Sequence, residues 1–149
     1  MKSWWVMTVL TLLVLLGYGL ARFKQEDLTP DLSQSELLAE VNDCDLSRQD
    51  CSAGAYRLEF ERPVKPLTRL KARLLSKQKI DSAVLYLEMK DMDMGINRFI
   101  FRQEKQGAWE ADMIIPVCAT GRRDWLASVV ILEDGKHQRL VFPFTVEGK

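Results

Sequence analysis

The 149-residue chain carries 21 basic and 21 acidic residues, a formal net charge of zero. That leaves room for one domain beside an N-terminal apolar segment, and it lacks the basic excess with which nucleic-acid binders neutralise phosphate. The neutrality conceals an asymmetry: Gln25 to Asp50 holds eight acidic residues against one base, Arg48, whereas from Ala55 onward seventeen basic residues face thirteen acidic ones. A solvated acidic connector accounts for this, and so does an acidic segment packed on a slightly basic domain.

From Trp4 to Leu20 the sequence WWVMTVLTLLVLLGYGL contains no charge. As a helix it would rise about 26 Å, a little short of the roughly 30 Å hydrocarbon core, a gap that Arg22 and Lys24 narrow by snorkelling. Trp4 and Trp5 at one end and Tyr18 at the other suit the two interfacial belts. The expectation is a membrane anchor over residues 1–22. A cleaved signal peptide is the competing reading, with Lys2 as its basic start and Gly19-Leu20-Ala21 as the small residues before a cut. Charge alone leaves the orientation open, because Lys2 and the amino terminus balance Arg22 and Lys24.

Residues 23–54 read as an acidic connector holding one short helix. Ser33-Gln34-Ser35-Glu36 matches a capping box, after which Leu37, Leu38 and Val41 share a helical face. Cys44 and Cys51 bracket a turn-rich Asp-Leu-Ser-Arg-Gln-Asp and can come within disulfide distance. A bridge from Cys118 to either remains the alternative, since spacing does not fix pairing. The spacing excludes a C-x-x-C redox motif and a C-x-x-C zinc knuckle.

Residues 55–149 read as a β-sandwich of about seven strands. Tyr56 to Glu61 alternates apolar and charged side chains, the mark of a half-buried strand. Further strands are expected at Thr68–Leu75, at Ala83–Met89 with Leu85, Leu87 and Met89 on one face, at Asn97–Gln103 and at Ala108–Ile115. Trp125–Glu133 follows, then an Asp134-Gly135 hairpin turn and Gln138–Val146, where Pro143 signals an edge or bulge. The count and spacing point to an immunoglobulin-like sandwich. Its competitor is a small α+β domain, because LTRLKARLL from Leu67 to Leu75 also has helical periodicity. Trp109 and Trp125 are expected in the core.

The unusual local sequence is Glu88-Met-Lys-Asp-Met-Asp-Met-Gly95. Thioethers are neutral, soft ligands suited to Cu(I), so Met92 and Met94, with Met89 and Cys118 or His137, form a candidate metal set. All three methionines converge only if the chain turns at Asp91. Packing at a sandwich end or against a partner is the favoured explanation of them. His137 beside the hairpin turn reads as exposed, and Cys118 as a buried residue or a metal-accessible thiol. Arg122-Arg123 reads as a loop cap, or as a contact for lipid headgroups or an acidic partner. One histidine assembles no Ser-His-Asp set and no Gly-rich phosphate cradle is present, so no catalytic residues emerge. An enzyme would need Asp91, Arg98, Cys118 and His137 to meet in one cleft.

Several short segments of the C-terminal part carry a resemblance to a known family. They are Met89-Lys-Asp-Met-Asp-Met-Gly95, Gly107-Ala-Trp-Glu-Ala111, Gly121-Arg-Arg-Asp-Trp-Leu-Ala127 and the closing Leu140-Val-Phe-Pro-Phe144. The stretch Tyr56–Val146 resembles the bacterial YtkA-like and FixH-like domains, small sandwiches often set behind an N-terminal membrane helix. The resemblance implies a single-pass protein of the bacterial cytoplasmic membrane whose C-terminal domain faces the periplasm or cell exterior. It implies a link to copper handling or to assembly of haem–copper oxidases, with metal contacts from the methionine turn. That turn lacks the histidine the resemblance leads one to expect, and Cys44 and Cys51 fall outside the family pattern. The leading expectation is a non-enzymatic accessory protein with the membrane and a protein partner, an oxidase subunit or copper-delivery protein, as its contacts. Direct Cu(I) binding, copper then being its cofactor, is the second.

Overall fold

Period-two alternation decides most of this chain. In the computed structural model, which describes residues 7–18, 31–105 and 107–147, Leu70, Ala72 and Leu74 are buried while Arg69, Lys71 and Arg73 between them are exposed. In an extended chain these three share one face; residues 69–76 form a strand, and the helical alternative for Leu67–Leu75 is overturned.

Ten strands are present among the described residues: β1 Glu36–Glu40, β2 Cys51–Ala53, β3 Tyr56–Phe60, β4 Arg69–Ser76, β5 Ser82–Glu88, β6 Arg98–Ile100, β7 Arg102–Lys105, β8 Ala108–Ile114, β9 Asp124–Glu133 and β10 Lys136–Thr145. They make two five-stranded sheets, one ordered β1-β10-β9-β5-β6 and the other β2-β3-β4-β8-β7. The fold is mostly β and sandwich-like. The seven expected strands all lie in it, with Asn97–Gln103 divided into β6 and β7 as the chain passes from one sheet to the other.

A single core fills the space between the sheets. Phe60 of β3 meets Phe144 of β10 edge to face at 5.2 Å, and Trp125 of β9 stacks on Phe144. Both tryptophans expected inside are there, Trp125 at 2% and Trp109 at 6% exposure. Asp134 and Gly135 both take positive φ, 48° and 74°, as a two-residue hairpin turn with the native twist requires. Pro143 sits in a strand interior to its sheet, yet β1 ends at the rung Glu40–Val141. On that side Pro143 therefore faces no ladder partner for its missing N–H, while its carbonyl accepts from the Leu46 N–H at 3.1 Å. It is a local edge.

The segment expected to be a helical connector is not helical beyond a short turn. Residues 32–34 make one 3₁₀ turn, capped by Asp31, whose carboxylate accepts from the Ser33 N–H at 3.1 Å and the Ser33 hydroxyl at 2.8 Å. Residues 36–40 then pair in parallel with β10. The open edge of β10 offers unpaired backbone groups, and pairing with them outweighs the weak local preference for helix. β2 likewise adds to the edge of the second sheet, so residues 36–53 lace one strand onto each sheet.

Cys44 and Cys51 are joined in a disulfide, with Cα atoms 5.9 Å apart. Inside the loop it closes, Leu46 is fully buried. Neighbouring Asp45 accepts from the Thr145 N–H and hydroxyl at 3.2 and 3.0 Å, and from Ser47. Asp50 pairs with Arg62 at 2.9 Å. The backbone of this segment packs on the domain, while Asp31, Glu36, Glu40, Asp43 and Asp50 stay exposed.

Residues 7–18 are helical and every one is exposed, among them Met7, Leu10, Leu13 and Leu16. Among the described residues no helix is long and apolar enough to cross a membrane. The expected span Trp4–Leu20 runs at both ends into residues outside the described ones.

Candidate functional site

The end of the sandwich where β5, β8 and β9 meet their loops gathers the sulfur atoms. After β5 the chain turns at Asp91, whose φ is 61°, and doubles back so that Met92 bridges to Met89. Asp93 secures the return by accepting from the Gly95 N–H at 2.8 Å. The turn at Asp91 that convergence of the methionines demands is therefore formed.

Opposite it, the β8–β9 loop presents Cys118, free and 5% exposed. Its Sγ lies 3.4 Å from the Met92 Sδ and 3.1 Å from the Thr120 hydroxyl. The loop folds tightly because the Gly121 N–H bonds back to the Cys118 carbonyl at 3.0 Å with Gly121 at φ 74°, a conformation glycine adopts without penalty. Arg122 ties the two loops together. Its Nη1 donates to the Lys90 carbonyl at 2.9 Å, and its other nitrogens engage Asp124.

This setting lowers the Cys118 thiol below its ordinary range. The Thr120 hydroxyl is the main cause, joined by the Thr120 and Arg122 backbone N–H groups and the Arg122 charge, with burial acting in the opposite sense. A thiolate favoured in this way is the form that binds metal.

Of the candidate donors, Met92 and Cys118 are brought together. Met89 is buried in the adjoining core at 4% exposure and Met94 packs against the same core. His137 lies on β10 opposite Leu132, next to the hairpin turn at the other end of that strand. Among the described residues no group of three or more His, Cys, Asp or Glu could hold a metal. The donor set that fits a soft cation is thus one thiolate and one thioether, with Met89 and Met94 as neighbours. Thr120 and Arg122 were not singled out from the sequence as partners of Cys118. The Cys118-Ala-Thr-Gly-Arg122 run held the signal, since a hydroxyl two residues on from a cysteine in a glycine-ended turn can fold back onto it.

The four residues an enzyme would need do not share a cleft. Asp91 and Cys118 lie within the field of Arg122, whereas Arg98 and His137 lie within reach of Asp31 on the outer face of the first sheet. Arg98 lines a groove there to which Asp91, Cys118 and His137 do not contribute. No family model, no curated protein and no solved structure matches this chain.

Proposed function

We propose that this chain is a membrane-tethered accessory module, an immunoglobulin-like sandwich of the YtkA-like and FixH-like kind. It is held at the outer face of a bacterial cytoplasmic membrane and acts by binding a protein partner rather than by catalysis. The observation that supports it is the helix at residues 7–18, apolar and exposed on every side, ahead of a domain stapled by Cys44–Cys51. Such a helix finds a suitable solvent in lipid, and a disulfide persists in an oxidising compartment. Fusions of alkaline phosphatase and of a fluorescent protein to the C-terminus test the topology. Phosphatase activity in carbonate-resistant membranes is expected; fluorescence in the cytosol with all thiols reduced would overturn the reading. A haem absorbance band co-purifying with the full chain from detergent-solubilised membranes is expected if the partner is an oxidase subunit.

A second reading has its own support in the 3.4 Å approach of Cys118 and Met92. Both sulfurs suit Cu(I), and Cys118 would supply the charged ligand and Met92 the neutral one. Bound copper would bring electron-transfer or metal-delivery chemistry, for which Arg122 holds the two loops together. Titration of Cu(I) against a competing chelator is expected to show at least a hundredfold loss of affinity in Met92→Leu and Cys118→Ser. Affinity no tighter than micromolar in the unaltered chain would end this reading.

A further inference from the structure

The outer face of the first sheet bears a groove that neither reading uses. Strand register sets its walls. One row across the sheet is Arg139, Val130, Val84 and Ile100, and the next is Val141, Ser128, Tyr86 and Arg98. Arg139 on β10 and Arg98 on β6 stand three interstrand steps and one row apart, about 16 Å between backbones, and both line a cavity of about 630 Å³. Leu32 of the capped turn packs over Val84, Tyr86 and Val130. Ile96, 90% exposed, stands on the rim. The volume falls within the range of small-molecule sites.

Of the two arginines, Arg98 lies within electrostatic reach of Asp31, and Arg139 carries the unmet donor. Arg139 Nε is shielded from solvent and has no hydrogen-bond partner among the described residues. A buried donor left in that state calls for an acceptor. Two carboxylates line the same cavity, and both take their hydrogen bonds from other groups. Glu88 accepts from the Ser128 hydroxyl at 2.6 Å, and Asp31 caps its own turn through Ser33. Among the described residues neither forms an ion pair with Arg98 or Arg139.

We propose that this groove binds the anionic head, carboxylate or phosphate, of a small amphipathic ligand between Arg98 and Arg139, with its apolar portion against Leu32 and Ile96. Guanidinium groups recognise both head groups through paired N–H donors. The ligand is either a free organic acid or an anionic lipid. The site stands or falls separately from the Cys118–Met92 pair, which lies at the loop end of the sandwich.

The test uses the full chain, isotope-labelled, in nanodiscs of zwitterionic phosphatidylcholine, reading the Arg139 Nε–Hε and Leu32 methyl resonances. One arm titrates hexanoate, with hexanol as the uncharged control; the other replaces part of the disc lipid with phosphatidylglycerol. Saturable shifts with hexanoate but not hexanol identify a free acid, and shifts with phosphatidylglycerol identify the lipid. In Arg98→Gln/Arg139→Gln the response is expected to weaken at least tenfold. Equal shifts from hexanol and hexanoate, silence in both arms, or an undiminished response in a folded double variant would each overturn the proposal. If that variant does not fold, the hexanoate–hexanol comparison in the unaltered chain decides.

Discussion

Two side chains carry consequences that can be measured one residue at a time. Thr120 is the main reason the Cys118 thiol is acidified, so Thr120→Val should return that thiol upward toward its ordinary value. With Cys44 and Cys51 bridged, Cys118 is the one free cysteine, and thiolate absorbance near 240 nm against pH reports it directly. No upward displacement in the variant would show that the hydroxyl contact does not act on the thiol. Asp45 is the second. Burial alone would raise its carboxyl, but hydrogen bonds from Ser47 and Thr145 outweigh burial and hold it below the usual range. A depressed folded value means stability that is full above the unfolded value, near 4, and is lost as pH falls through the folded one. Asp45→Asn should cost about 1 kcal/mol at neutral pH and flatten the acid limb of a urea-denaturation series below about pH 4.

At the level of elements, the cystine between β1 and β2 should matter more to stability than its short loop suggests by eye. Closing a loop of sequence separation 7 restricts the unfolded chain by about 2.5 kcal/mol on loop-entropy grounds. Cys51 is also buried at 1% exposure. Cys44→Ala/Cys51→Ala should therefore lower unfolding free energy by about 2 to 4 kcal/mol, read as a lower denaturant midpoint with a slope no smaller than that of the unaltered chain. Elements also differ in how plainly the sequence announces them. β3, β4, β5, β8 and β9 alternate or run apolar over five to ten residues, and each was legible because burial on one face leaves that imprint. β1 was not. Ser-Gln-Ser-Glu-Leu-Leu-Ala-Glu carries helical spacing, and the edge of β10 that makes it a strand lies about a hundred residues away. β2, three residues long, is too short to display a period at all. The site followed the same division. The methionine turn stood out by composition, while the partnership of Cys118 with Met92, 26 residues apart, is a product of sheet-to-sheet packing that no local pattern records.

For the molecule as a whole, the lacing of residues 36–53 across both sheets fixes how the domain would bear a pull from its N-terminal side. β1 is entered at Glu36, beside Gln138 at the start of β10, so tension between the residues ahead of Asp31 and the β9–β10 turn opens the rungs one after another from the Gln138 end. Peeling of this kind resists weakly. It would stop where Leu46 is seated and the cystine closes the chain on itself. Optical-trap extension with one handle ahead of Asp31 and the other at the Asp134-Gly135 turn should accordingly show a soft first yield on the order of 40 Å for residues 31–43, ahead of one stiff rupture of the remainder. Removing the cystine should lengthen the yield by roughly 20 Å, and an unchanged length would mean that Leu46 alone arrests it. Such a strap would act as a shock absorber in series with a rigid body, yielding to a tug on the residues ahead of it before the hydrophobic interior is strained.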